Sequence, residues 1–561
     1  MQNAAHFDRH DSPAAIPPPG AVPPIAPRLL TDLLDRAVAE HGDWPAIDFL
    51  GRGWTYAELG ELVRRATRGL QDIGVRSGTR VGLCLPNTPY FVICYFAILR
   101  AGGVVVNFNP LYVERELRHQ IVDSGTTVMI VPDLRMIHDK VAGLAAETGL
   151  EHIVVCPMGD VMPWPLRLGF RLLKRKDHAR VPDDARHLWF AELTADNVDP
   201  DPIVSSPDDL AVLQYTGGTT GVPKGARLSH ANLAANSAQM IAHVGHLPEK
   251  QERTLGVLPL FHVFALTTVL NYSIDTAAEM VLLPRFEMKQ FVKTIRRTRP
   301  TQFFGVPTLY SAVNRLDERQ LPDLSTIRVC ISGGAPLPLE VRELFERRTG
   351  CRIVEGYGLS EASPIIACNP LEGLVKNNSC GPAFPETILE IRDLENPQRL
   401  MPMGERGEVC ARGPQVMQGY WNKPDESAAA FVDGALRTGD VGYLDEDGYL
   451  FLVDRIKDLI LCGGYNVYPR VIEDALYEHP AVAEAVVIGV PDSYRGQSPK
   501  AFVSLKPGMA ADEAALSAFL KERISKIEMP SKIEIRESLP KTLIGKLSKK
   551  ALADEEAAGR A

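Results

Sequence analysis

Short runs of β-branched and aliphatic residues alternate with stretches of helical periodicity through the first three-quarters of the chain, and no other feature limits the fold as much. Runs of strand length stand at 128–132 (VMIVP), 152–156 (HIVVC), 278–283 (AEMVLL) and 327–332 (IRVCIS), with helical spacing at 57–71 and 338–349. Strand–helix alternation of this kind predicts an α/β fold, in which parallel sheets are covered by helices. The most apolar stretch, Val81 to Val106, is interrupted by Pro86-Asn87-Thr88-Pro89. A membrane-spanning helix needs about 20 continuous apolar residues, so this stretch reads as a buried strand, a turn and a core helix. No internal repeat is visible.

Near residue 454 the pattern changes. A strand at 449–454 is followed by Arg455-Ile456-Lys457-Asp458 and the pair Gly463-Gly464. Then come a helix (469–478), strands at 484–490 and 500–506, a helix (512–526) and a strand (532–537). This is a small α+β domain of roughly 100 residues. A chain of 561 residues also exceeds what one hydrophobic core serves. The expected organisation is a proline-rich arm at 1–28, a large N-terminal domain of helix-covered sheets at 29–454, and a mobile domain at 455–561 with its hinge at 454–457. Within the arm, 13–27 (PAAIPPPGAVPPIAP) favours extended polyproline over helix.

Composition narrows the function classes. Lys and Arg total 61 against 70 Asp and Glu, a net charge of −9 that argues against a nucleic-acid partner. Nine cysteines are scattered with no CxxC pair, so neither a disulfide framework nor a zinc site is indicated. Reduced thiols and the lack of a charged-then-apolar leader point to the cytoplasm. Segment 161–176 (VMPWPLRLGFRLLKRK) mixes apolar anchors with cations beside Trp164. It suits either contact with the inner face of a membrane or a core-facing helix with a solvated basic rim. A homodimer is left open.

Chemistry concentrates in a few segments. The strongest is 215–225 (YTGGTTGVPKG), where Thr216, Gly217, Gly218, Thr219, Thr220 and Gly221 precede Lys224. Its amides and hydroxyls can wrap phosphate oxygens, and Lys224 adds a point charge. No Gly-Lys-Ser/Thr ends the loop, so it is not a Walker A motif, and no Gly-x-Ser-x-Gly elbow occurs.

This loop resembles the phosphate-binding signature of the adenylate-forming superfamily, which includes acyl-CoA synthetases, luciferases and peptide-synthetase adenylation domains. The likeness runs over roughly 30–550, with motifs in the family's order. The resemblance implies ATP, Mg²⁺ and coenzyme A as cofactor and co-substrates, and an acyl-AMP intermediate. It implies that 355–361 (EGYGLSE) forms part of the nucleotide site. There Glu355, Gly356 and Gly358 would line the wall, Tyr357 would stack on adenine, Ser360 would meet phosphate and Glu361 would hold Mg²⁺ with Thr216. Gly334 and Ala335, in 332–336 (SGGAP), would form the other adenine wall.

Segment 433–457 (DGALRTGDVGYLDEDGYLFLVDRIK) resembles the family's extended signature. By that match Asp440 accepts the ribose hydroxyls, Arg455 reaches ribose or phosphate, and Lys457 is the hinge. Ala435-Leu436-Arg437 stands where relatives often carry Trp-Leu-His, a departure expected to alter local packing. Lys546, in 540–546 (PKTLIGK), would enter the site for adenylation, orienting the acid and offsetting charge at the α-phosphate. Gly463 and Gly464 would border the pantetheine channel. His262, in 259–264 (PLFHVF), would gate the acyl route, although a satisfied core histidine is the commoner fate. Thr216, Glu361, His262 and Lys546 are thus the catalytic candidates.

Within the superfamily the chain looks most like bacterial long-chain fatty acid CoA ligases, on 355–369 (EGYGLSEASPIIACN), 413–424 (GPQVMQGYWNKP) and 464–469 (GYNVYP). The expected partners are a fatty acid, ATP and CoA. A medium-chain or aromatic acid, or delivery of the acyl group to a carrier protein, would keep every ATP motif.

Overall fold

The computed structural model describes residues 24–216, 223–245, 250–462, 465–492, 494–541 and 547–558. Four sheets organise them. The first has seven strands in the order His187–Trp189, His152–Cys156, Val128–Pro132, Arg80–Leu83, Val104–Asn107, Leu210–Thr216, Lys224–Ser229. All neighbours are parallel except the last pair. The second has eight strands, with Val354–Gly358, Val329–Ser332, Gln302–Gly305, Arg253–Gly256, Glu279–Leu282 and Pro45–Phe49 as a parallel interior. Ile365–Cys368 and Arg52–Thr55 close its two edges antiparallel. Parallel strands need coverage on both faces, which the interleaved helices supply.

The stretch 81–106 folds as strand, turn, helix and returning strand. Every residue of the helix Pro89–Arg100 from Pro89 to Leu99 is buried. A helix apolar on all sides belongs in a core, not on a surface. The helix His230–Val244 begins where Ser229 Oγ accepts from Asn232 N at 3.1 Å and Asn232 Oδ1 accepts from Ser229 N at 3.0 Å. This reciprocal cap fixes the chain just after the strand Lys224–Ser229.

The third sheet is antiparallel and joins Ile388–Arg392, Gly407–Arg412, Ala435–Leu444, Phe431–Val432 and Leu450–Arg455. The fourth collects Tyr465–Val467, Ile460–Cys462, Gly496–Leu505, Val482–Asp492 and Lys532–Arg536, with its own apolar core. Its helices are Pro469–Tyr477, Glu513–Lys521 and Lys549–Ala558. The second helix is shorter than the periodicity over 512–526 predicts. Glu528 Oε2 accepts from both the amide and hydroxyl of Ser525, at 2.8 and 2.7 Å, and this local turn replaces the next helical turn.

Arg28, at the end of the proline-rich stretch, is paired with buried Asp275 at 2.9 Å. All nine cysteines are buried and free. Among the described residues, no helix is long and apolar enough to cross a membrane. The basic segment forms the helix Trp164–Leu173, and none of its ten residues is buried. Phe170 alone turns inward, its ring 4.8 Å from that of His178. Trp164, Leu172 and Leu173 are 75%, 70% and 86% exposed. The core-facing alternative is therefore not what the chain adopts.

Candidate active site

The strand Leu210–Thr216 carries the phosphate-loop candidate at its C-terminal end, where ligands gather in parallel α/β sheets. Two anchors fix this end. Tyr215 Oη donates to Asp123 Oδ2 at 2.6 Å, and Trp421 Nε1 donates to the Asp123 carbonyl at 3.1 Å. Thr216 Oγ1 lies 3.5 Å from the Lys224 carbonyl, so the loop leaves and returns at one point. Gly217, Gly218, Thr219, Thr220 and Gly221 lie outside the described residues, as do Gly463, Gly464 and Lys546.

Both strands of this hairpin pack on the turn Ser360–Ala362, which presents Glu361. Glu361 Oε1 accepts from Tyr420 Oη at 2.8 Å, and its carbonyl accepts from Met417 N at 2.8 Å. Lys224 Nζ sits 5.0 Å from the centroid of the same Tyr420 ring. Burial pushes the Glu361 carboxyl above its usual range, while the Tyr420 bond and the charges of Lys224 and Arg455 oppose that rise. A carboxylate held this way, beside Thr216 and a cation, has the oxygen chemistry that Mg²⁺ prefers. Among the described residues there is no cluster of three or more metal-binding side chains. Glu361 and Thr216 would thus hold a cation jointly with a ligand's phosphates.

Four residues earlier, Tyr357 takes a different partner. Its hydroxyl donates to Asp440 Oδ2 at 2.5 Å. Burial and the Asp440 charge keep that phenol protonated, so it serves as the donor. Asp440 is the register partner of Arg455, and Arg455 Nε lies 3.3 Å from Asp440 Oδ1. The backbone here is irregular. Thr438 Oγ1 donates to the Val409 carbonyl at 2.7 Å and accepts from Asp440 N at 3.1 Å. Arg437 settles the departure noted in the sequence: its guanidinium pairs with buried Glu408 at 2.7 Å, and Glu408 Oε1 accepts from Gly439 N at 3.2 Å. Arg437 thereby braces the segment that presents Asp440.

The two segments expected to flank adenine come from adjacent parallel strands, in which Ser332 pairs with Glu355. A Cβ at Gly358 would fall 2.1 Å from the Pro364 carbonyl, so only glycine lets the chain double back there. Gly356 is half-buried on the same strand, Ser360 half-buried at the turn, Gly334 exposed and Ala335 half-buried. Burial raises Glu355 to about 7, against the opposing charge of Arg470.

His262 caps the short helix Val263–Ala265, its Nδ1 accepting from Phe264 N at 3.3 Å. The Phe264 ring packs against Gly333: a Cβ there would lie 3.0 Å from Phe264 Cζ. The segment is held from two sides. Asn87 bonds the Leu258 carbonyl and the Leu260 amide at 2.7 and 2.8 Å, and Gln214 Nε2 donates to the Phe261 carbonyl at 3.1 Å. Lys457 is exposed in the single turn Ile456–Asp458 that follows the third sheet.

Sequence reasoning missed Tyr420, Asn87, Gln214, Arg470 and Lys549. Tyr420 had a signal, since it lies within the quoted 413–424 segment. Asn87 had a weaker one, as the polar residue of a turn inside an apolar run. Gln214 is one buried polar residue in a strand and carries none.

The family model described as AMP-binding enzyme matches residues 34–421, and that of the AMP-binding enzyme C-terminal domain matches 471–546. The chain is 42% identical over 543 residues to a long-chain-fatty-acid–CoA ligase of Bacillus subtilis (strain 168), covering 95% of each. It is 36% identical over 550 residues to the long-chain-fatty-acid–CoA ligase of Escherichia coli O157:H7, covering 96% of each. Among solved structures, ATP-bound MatB from Rhodopseudomonas palustris matches with a TM-score of 0.82 at 29% identity, over 94% of this chain and 98% of that one.

Proposed function

Because the chain belongs to the AMP-binding enzyme family, we propose that it joins a long-chain fatty acid to coenzyme A through an acyl-adenylate, releasing AMP and pyrophosphate. The observation that carries this reading is the turn 357–361. It directs Tyr357 to the ribose-type carboxylate Asp440 and Glu361 to the Tyr420–Lys224 side, so one short segment serves both ends of a nucleotide. The choice of acid rests on the long-chain ligases to which the chain is similar.

A carboxylate is a poor electrophile toward a thiol because its leaving group would be oxide. In the first half-reaction, a carboxylate oxygen bonds to the α-phosphorus of ATP and the bond to pyrophosphate breaks. In the second, the CoA sulfur bonds to the acyl carbon, its proton passes to solvent, and AMP departs with the C–O electron pair. The protein supplies alignment and charge neutralisation rather than a covalent nucleophile. Asp440 and Arg455 would hold the ribose, Lys224 and Thr216 the phosphates, and Glu361 with Thr216 the Mg²⁺. Bound Mg²⁺ would neutralise phosphate charge. Lys546 would steady the acid against the α-phosphate, and Lys457 would let the C-terminal domain turn between half-reactions. Gly463 and Gly464 would then border the pantetheine arm.

The helix Trp164–Leu173 supports contact with an anionic membrane surface, from which a long-chain acid is drawn. Its exposed Trp164, Leu172 and Leu173 stand beside Arg171, Lys174 and Arg175.

Pyrophosphate exchange tests the assignment. Exchange that requires only fatty acid and Mg·ATP, with thioester appearing only when CoA is added, is the expected result. Exchange with no thioester would move the acceptor to a carrier protein or an amine.

A further inference from the structure

Asp454 occupies an unusual place. It lies one residue before the end of the strand Leu450–Arg455, as the register partner of Val441, so its backbone belongs to the N-terminal side of the hinge. Its side chain is buried, 4% exposed, and contacts the other side. Oδ2 accepts from Arg470 N at 2.8 Å, which places a carboxylate on the first turn of the helix Pro469–Tyr477. Oδ1 lies 3.9 Å from Lys549 Nζ, a charge contact rather than a hydrogen bond.

Lys549 in turn belongs to the C-terminal body. It pairs with Glu473 at 3.1 Å and lies 3.9 Å from Asp458, both beyond Lys457. Its helix, Lys549–Ala558, is tied to the fourth sheet through Glu555 to Arg536 at 2.6 Å and through Glu556 to Lys500. Across the hinge the buried Arg470 guanidinium also interacts with the Glu355 charge, whereas two further contacts are peripheral: Lys506 to Glu340 at 3.0 Å, both exposed, and Arg406 over the Tyr468 ring at 5.5 Å. Exposed pairs of that kind contribute little. Asp454 crosses with a buried hydrogen bond and a charge contact, and a rotation about Lys457 would take both partners away.

We propose that Asp454 is a pose-selecting positioning residue, a catch that holds the C-terminal domain in the observed orientation through the Arg470 amide and the Lys549 charge. Rotation about Lys457 breaks both contacts and leaves the Lys549–Glu473 pair intact. This inference rests on the hinge assigned to Lys457.

The test measures the two half-reactions separately: fatty-acid-dependent pyrophosphate exchange, and CoA-dependent consumption of preformed acyl-AMP. Asp454→Ala removes both contacts; Asp454→Asn removes the charge contact and one of the two backbone-amide hydrogen bonds the carboxylate accepts, from Arg455 N and Arg470 N; Lys549→Met removes the charge contact together with the pairs to Glu473 and Asp458. The expected result is a change of about tenfold in the ratio of the two rates for Asp454→Ala, one crossing contact of this kind being worth about 1.4 kcal/mol. Smaller shifts in the same direction are expected for the other two. Lys500→Met loosens the same helix without touching the hinge, and should leave the ratio unchanged. An unchanged ratio in Asp454→Ala, or equal loss of both rates, overturns the catch. Lys457→Pro in the same assays separates the two ideas. Wild-type rates for both half-reactions there would remove the hinge itself, whereas a blocked hinge with an unaltered Asp454→Ala ratio removes only the catch.

Discussion

Tyr357 and Asp440 meet through a 2.5 Å hydrogen bond across 83 positions of sequence, and that bond joins the eight-stranded sheet to the antiparallel third sheet. It orients the carboxylate assigned to ribose before any nucleotide arrives. Tyr357→Phe leaves Asp440 partly buried with one donor fewer, at about 1–3 kcal/mol. The expected outcome is an ATP KM raised about tenfold or more, with kcat for saturating ATP changed less. Steady-state kinetics at varied ATP check this, and an unchanged KM would detach Tyr357 from ribose positioning.

Tyr420 makes a pH prediction with a definite sign. Its hydrogen bond favours the ionised form of Glu361, whose carboxyl burial already raises. Tyr420→Phe removes that support, so Glu361 should take up its proton at higher pH and lose its hold on Mg²⁺ there. The acid limb of kcat/KM should therefore move to higher pH, with excess Mg²⁺ partly reversing the loss.

Glu355 links pH to stability in the opposite direction to a paired surface carboxylate. Its folded value of about 7 lies above the ordinary 4.5, so the folded state binds the extra proton between those values. That contribution is full below pH 4.5 and is lost as pH rises through 7, by up to about 3 kcal/mol. Glu355→Gln should flatten this fall. Urea unfolding at pH 5 and pH 8 checks it: wild type should weaken across the interval and the variant should not.

Lys546→Ala should slow acyl-adenylate formation by about 10²–10³, the scale for removing one group that stabilises developing charge. Consumption of supplied acyl-AMP by CoA should stay within a few-fold of wild type. Equal loss of both half-reactions would deny Lys546 its separate role.

Charge reversal at Arg171, Lys174 and Arg175 should abolish co-sedimentation with anionic vesicles while leaving activity on detergent-dispersed acid intact. The helix Trp164–Leu173 has no buried residue whose packing the changes would disturb. Binding that survives the reversal would count against a membrane role.

Much of this was legible in the sequence, for physical reasons. Alternating patterns marked 128–132, 152–156 and 327–332 as buried strands because parallel strands are apolar on both faces. The break at Pro86–Pro89 separated strand from core helix because proline and asparagine favour turns. Tyr420 lay in a segment the sequence marks, but its partner 59 residues away, like that of Gln214 47 residues away, is encoded by no local period. The basic helix was ambiguous because amphipathic periodicity is the same whether its apolar side faces a core or a membrane. Only the exposure of Leu172 and Leu173 separates those cases. The catch at Asp454 was illegible too, because a lone aspartate beside an arginine gives no sign of which side of a hinge it grips.

The central claim is acyl activation for CoA with a long-chain acid, and AMP release tests it most directly. Purified protein would be given Mg·ATP and a panel of C2 to C18 acids, with and without CoA. The account predicts AMP formation that needs CoA and is greatest for C12–C18 acids. AMP formation that ignores CoA, or that favours acetate or an aromatic acid over every long-chain acid, would contradict it.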